Sequence, residues 1–116
     1  MKNFDLEKRS TDFAKEIVRL CRSIKNDSIN SRIFSQLVGS SGSIGANYRE
    51  ANDSLGKKDF IMRLKISRKE TKEVLHWLEI LLEANPSVQN IIEKLMKEAT
   101  ELRNILSAII IKSEKK

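Results

Sequence analysis

Phe13, Ile17, Val18, Leu20, Cys21 and Ile24 follow one another at the three- and four-residue spacing that gathers side chains on one face of a helix. The pattern predicts a first helix over about residues 11–26, capped by Ser10 or Thr11 and ended by Asn26-Asp27-Ser28. Ile33, Phe34, Leu37, Val38, Ile44 and Tyr48 predict a second over 31–53. A third runs over 57–84, after the break at Ser54-Leu55-Gly56, with Phe60, Leu64, Ser67, Thr71, Val74, Leu75, Leu78 and Leu82 on its core face. The fourth, over 86–112, opens at Asn85-Pro86-Ser87, where Asn85 suits a cap and Pro86 the first helical position. Val88, Leu95, Leu102 and Ile109 recur there every seven residues, interleaved with Ile91/Ile92, Ala99 and Leu106. Heptad recurrence predicts shallow helix crossings, and the short connections make each helix return beside its predecessor. The expected fold is all-α, a single antiparallel up-down-up-down four-helix bundle whose tail, Lys112 to Lys116, frays.

The middle of the second helix, Gly39-Ser40-Ser41-Gly42-Ser43-Ile44-Gly45-Ala46, is a loop by propensity, since each helical glycine costs roughly 1 kcal/mol against alanine. Its spacing favours a helix instead. Gly39, Gly42 and Ala46 fall on one face, where another backbone could approach closely; a glycine hinge is the alternative. No Gly-Lys-Ser/Thr follows these glycines and no strand precedes them, which argues against a phosphate loop.

Composition narrows the picture further. At 116 residues the chain has room for one core. Four glycines, one proline, one Tyr and one Trp leave little turn or strand chemistry. A lone cysteine, Cys21, sits in the apolar stripe of the first helix and reads as a small buried residue in a reducing compartment. Asp5 and Glu7 stand where a signal peptide would have its apolar core, and no apolar run is long enough to span a bilayer, so a cytoplasmic protein is expected.

The net charge of +6 is unevenly placed. Lys57 to Lys72 holds seven basic residues against two acids, and the rest of the chain adds only +1. Lys58, Lys65, Lys69 and Lys72 form a stripe opposite the core face of the third helix, with Arg68 nearby. Such a stripe is the footprint of a phosphate-backbone binder and equally the form of a solvated lysine face. No aromatic interleaves with it to stack bases. Met62, Ile66, Trp77 and Ile80 share another sector of the same helix, away from the core, and mark a contact with another chain.

Catalytic chemistry is sparse. His76 is the only histidine and lies on the lysine side, away from Cys21. Glu73-Val74-Leu75-His76 has the Glu-x-x-His spacing of di-iron bundles, but its further carboxylates would have to come from elsewhere, Glu50 or Glu101 being candidates. No metal or other cofactor is expected, nor an enzymatic activity.

Ser43-Ile44-Gly45-Ala46-Asn47-Tyr48-Arg49-Glu50-Ala51 resembles the most recognisable stretch of the bacterial four-helix bundle proteins named for the intervening sequences of 23S ribosomal RNA. Lys58-Asp59-Phe60-Ile61-Met62-Arg63-Leu64, Lys69-Glu70 and Glu73-x-x-x-Trp77-Leu78-Glu79-Ile80-Leu81 look like that family's third helix. Gly45, Val74 and His76 depart from proline, threonine and tyrosine, and none of these touches Asn47 or Glu50. The resemblance implies a homopentameric ring with suspected RNA association, related to the accessory proteins of diversity-generating retroelements, for which a reverse transcriptase is a partner. It also singles out Ser43, Asn47 and Glu50. Asn47 and Glu50 could form a polar layer with Arg63 or Arg68, or part of a binding surface. The expected function is that of a homo-oligomeric nucleic-acid binder, with a protein-interaction scaffold as the alternative and no membrane partner.

Overall fold

The computed structural model describes residues 3–115. It contains α1 (Asn3–Ser23), α2 (Ser28–Asn52), α3 (Lys57–Ala84), one 3₁₀ turn (Pro86–Val88) and α4 (Gln89–Glu114). Each helix packs on the next and α4 returns to α1, closing an up-down-up-down bundle of 47 × 21 × 20 Å. The α2–α3 seam is the most closely packed and the α1–α4 seam the least. No described helix is long and apolar enough to cross a membrane.

α1 begins eight residues before the expected start at Thr11. Leu6 and Ser10 are buried and extend the face of Phe13 and Ile17 at helical spacing. Ser10 does not cap: its hydroxyl donates back to the Glu7 carbonyl within the helix. Polar residues between Asp5 and Asp12 hid this turn, because one leucine is too little periodicity to read. Asp27 likewise starts a helix as much as it ends one. Its Oδ1 accepts from the Asn30 amide at 2.8 Å, the N-cap bond of α2, so α2 starts at Ser28 rather than 31.

The glycine-rich segment is continuous α-helix with no positive φ. The expected close approach along Gly39, Gly42 and Ala46 is not made. A Cβ placed on Gly39 or Gly42 would meet nothing within 4 Å, and Ala46 is exposed. The close contact lies on another face, where a Cβ on Gly45 would stand 3.0 Å from the Ser10 hydroxyl of α1. Buried Ser40 and Ser41 satisfy their hydroxyls on the carbonyls of Gln36 and Val38, the local bonding that lets serine sit inside a helix.

Leu64, Ser67, Thr71, Val74, Leu78 and Leu81 form the buried face of α3. Leu81 takes the central place expected for Leu82, which with Phe60 and Leu75 is half-buried. Ser67 donates to the Ile44 carbonyl at 2.7 Å, tying α3 to the middle of α2. In α4 the buried set is Ile92, Leu95, Ala99, Leu102, Leu106 and Ile110. Val88 and Ile109, the ends of the heptad series, are only half-buried. A straight helix drifts about 20° per heptad against a strict seven-residue repeat, which moves the stripe from Ile109 to Ile110 after three heptads. Asn85 does not cap the following turn; its side chain is occupied by Asn30. The expected frayed tail is helical to Glu114, and Lys116 lies outside the described residues.

Candidate nucleic-acid interface on the third helix

The basic residues of α3 divide by what they touch. Lys58, Lys69 and Lys72 are exposed and enter no ion pair among the described residues. Lys65 Nζ stands 3.0 Å from Glu114 Oε2 on α4. Arg68 is half-buried and its Nη1 reaches Ser107 Oγ at 3.4 Å. The stripe therefore has three open ammonium groups and two heads turned toward α4. From Lys58 to Lys72 it runs about 21 Å at 1.5 Å per residue. The partner of Lys65 escaped sequence reading because Glu114 sat in a tail expected to fray.

Ser43, Asn47 and Glu50 are separated by the structure. Asn47 is half-buried: its Nδ2 donates to the Ser43 carbonyl at 2.9 Å and its Oδ1 accepts from Arg63 Nη1 at 3.2 Å. Arg63 also lies 4.0 Å from Asp59. Asn47 thus bridges α2 to α3, whereas Glu50 is exposed and joins neither Asn47 nor Arg63 or Arg68. Of the two residues weighed as a polar layer, only Asn47 enters one.

The apolar sector of α3 lies on the side facing α2, since Arg63 and Ser67 reach α2 while Lys65 and Arg68 reach α4. Met62 and Ile80 are 50% and 37% exposed. Ile66 and Trp77 are half-buried, and Trp77 also packs against the core. The Trp77 Nε1 is buried with no hydrogen-bond partner among the described residues, and the His76 ring meets the indole edge-on at 4.9 Å. Glu70 beside this sector has a carboxyl held above its usual range, chiefly by burial and further by the nearby Glu73 charge.

No group of three or more His, Cys, Asp or Glu side chains among the described residues converges on a point where a metal ion could sit. Cys21 is buried and its thiol is pushed up to about 11 by that burial, which keeps it in the unreactive form.

Sequence reading missed a second basic strip. Lys15 and Arg22 share one side of α1 with Val18 by helical spacing, Lys25 follows in the connection to α2, and none of the three is ion-paired among the described residues. Summing charge over the remainder of the chain concealed it; a window over residues 15–25, four bases against one acid, exposes it. On the opposite side of α1, Arg9 Nε and Nη2 clamp both Glu98 oxygens at 2.6 and 2.7 Å, and Nη2 reaches Glu101 at 3.1 Å. These bonds raise the Arg9 pKa further above its usual range, Glu98 contributing most.

These features define a small antiparallel helical bundle with a basic face and an exposed apolar flank on one helix. The family model of the 23S rRNA-intervening sequence protein matches residues 2–108. The chain belongs to that family. A crystal structure of a protein with unknown function from the S23 ribosomal protein family of Bacteroides thetaiotaomicron is 32% identical, with 90% of this chain and 97% of that one covered, at a TM-score of 0.79. No curated protein matches the chain.

Proposed function

We propose that this chain is a non-enzymatic module that associates with copies of itself and binds nucleic acid, RNA foremost, through phosphate contacts from α3. The observation that carries this reading is the row of open ammonium groups of Lys58, Lys69 and Lys72 on one rigid helix. Phosphate contacts need charge and reach, not a pocket, and the row supplies both without any aromatic to read bases. The family's name, taken from an RNA element, supports RNA over DNA. Met62, Ile66, Trp77 and Ile80 support self-association: a grouped apolar flank holding the only Trp has the composition of an interface centre. A ring of five is the assembly that the family resemblance implies, and a cytoplasmic location accords with the reading.

The test is filter binding of RNA at about 50 and 200 mM salt. Log affinity should fall with log salt by about 0.7 per contact on single strands, and replacing Lys58, Lys69 and Lys72 with glutamine should flatten that slope by about two. Lys65→Gln should change it least, its head being held by Glu114. Unchanged binding in the triple variant would remove the lysine assignment. One observation favours the scaffold alternative: Lys65 and Arg68 are already engaged within the chain, so part of the stripe serves the bundle. No retention of RNA or DNA at the lower salt would decide for a protein partner, a reverse transcriptase among them.

A further inference from the structure

Two surfaces outside the lysine stripe complement each other. The first is a groove of about 470 Å³ between α1 and α2, with an apolar floor that includes Cys21 and Phe34 and apolar walls at Val18 and Val38, which are 37% and 44% exposed. Arg22 lines it, Lys15 lies along the same side of α1, and Lys25 stands in the α1–α2 connection between Ile24 and Asn26, which also line the groove. The second is the last third of α3, where half-buried Trp77 and exposed Ile80 project between Glu73 and Glu83. From Glu73 to Ala84 the helix carries three carboxylates and no Lys or Arg. Glu79 faces the α3–α4 groove with Leu75 and Met96, whereas Glu73 and Glu83 flank the apolar pair, and neither is ion-paired among the described residues. One surface is therefore a basic apolar groove and the other an acidic apolar ridge.

Their placement matches as well. The end of α1, the start of α2 and the end of α3 lie at the same end of the bundle, as the Asn30–Asn85 hydrogen bonds show. The α1 wall of the groove from Lys15 to Ser23 spans about 12 Å and the ridge from Glu73 to Glu83 about 15 Å of helix at 1.5 Å per residue. Copies standing side by side in the same orientation bring ridge and groove level with no shift along the bundle axis. The two surfaces lie on neighbouring flanks, the groove between α1 and α2 and the ridge on the α2 side of α3, so one chain cannot unite its own pair.

We infer that the α1–α2 groove of this chain receives the Trp77–Ile80 ridge of a second copy, making the contact between copies heterologous. The inference rests on the self-association proposed above and adds what α3 docks into. A heterologous contact between flanks that face different ways repeats from copy to copy and closes into a small ring when the rotation permits. Charge complementarity then fixes which flank meets which, because ridge on ridge would set Glu73 and Glu83 of two copies together, and groove on groove would do the same with Arg22 and Lys25.

The test mixes two single-site variants of the full chain in analytical ultracentrifugation. Val38→Glu spoils the groove and leaves the ridge; Ile80→Lys spoils the ridge and leaves the groove. Both sites are exposed, and far-ultraviolet circular dichroism checks that helix content is kept. Each variant alone should sediment at the monomer mass of 13.3 kDa. Their equimolar mixture should form a one-to-one dimer and nothing larger, because it has one intact ridge-groove pair. Two monomers in the mixture would overturn the inference, as would full assembly of Val38→Glu, which would leave association through α3 standing with a different partner surface. A wild-type chain that is monomeric at about 100 µM overturns both readings. Should Val38→Glu lose helix, Arg22→Glu/Lys25→Glu takes its place, and Glu73→Lys/Glu83→Lys should complement it in the mixture if the charges pair as argued.

Discussion

Asn30 and Asn85 face each other across the closed end of the bundle and exchange both amide hydrogen bonds, Asn30 Nδ2 to Asn85 Oδ1 at 3.1 Å and Asn85 Nδ2 to Asn30 Oδ1 at 2.8 Å. Asn30 is buried and also donates to the Lys25 carbonyl; Asn85 also donates to the Leu81 carbonyl. The pair fastens the first turn of α2, and through the Lys25 carbonyl the α1–α2 connection, to the α3–α4 connection, 55 residues on in sequence.

Removing one partner leaves the other's buried oxygen without a donor, the costly half of a hydrogen-bond deletion. Asn85→Ala should lower unfolding stability by about 1–3 kcal/mol in urea titration, and Asn30→Ala by at least as much. The double variant should cost less than the sum of the two. Additive losses would show that the two amides act independently.

The glycines of α2 should respond in opposite ways. Gly39→Ala and Gly42→Ala meet open space and should each stabilise the monomer by up to about 1 kcal/mol, the propensity difference between the two residues. Gly45→Ala must push against the buried Ser10 hydroxyl at 3.0 Å and should gain nothing or lose stability. Adding Ser10→Gly should relieve the contact. Thermal melts of the four variants decide it, and an equal gain at Gly45 would mean that the α1–α2 approach is looser than described.

Glu70 provides a pH signature. Burial and the neighbouring Glu73 raise its pKa in the folded chain, so the native state holds this proton more tightly than the unfolded one. The sign follows: the site contributes most below the unfolded value near 4.5, and its contribution is lost as pH rises through the folded value. Glu70→Gln should therefore be more stable than the wild type at pH 7, by about 0.5 kcal/mol at most on the scale of surface substitutions, with the difference vanishing near pH 4. A constant difference across that range would refute the assignment.

Cys21 should be nearly inert in the native state. With its pKa near 11, the thiolate fraction at pH 8 is lower than that of a free cysteine by on the order of a hundredfold. Alkylation by iodoacetamide at pH 8 should be correspondingly slow and should accelerate in denaturant. Rapid native labelling would mean that the α1–α2 groove opens readily.

Most of the bundle could be read from apolar spacing alone, because Phe13, Ile33, Leu64 and Leu95 head stripes long enough to fix helix type and count. What escaped reading was set by neighbours in space. Leu6 alone gave no period, so the first turns of α1 became visible only once Ser10 met Gly45. The face of α2 that needs glycine could not be chosen from Gly39, Gly42, Gly45 and Ala46, since that choice depends on where α1 lies. At the candidate site the lysine row and the Met62–Ile80 sector were legible as helical geometry. Lys65's attachment to Glu114 and the α1–α2 groove were not, for each joins elements distant in sequence. Asn47 was legible to the extent that Arg63 had been considered as its partner.

The uneven seams give the bundle an order of opening. α2 and α3 are locked by Ser67 on Ile44 and by close packing, and α4 holds to α3 along its length. α1 leans on α4 with few backbone approaches, clipped there by Arg9 on Glu98 and Glu101 and on the α2 side by Arg49 on Glu7. α4 makes as many ion pairs, but α1 has the sparsest packing to set beside its own, and salt screens such pairs while leaving apolar packing intact. Amide protons of α1 should exchange with solvent before those of α2 and α3, and the gap in protection should widen as ionic strength rises. The helix that walls the groove would then also be the helix with the lowest threshold for local release.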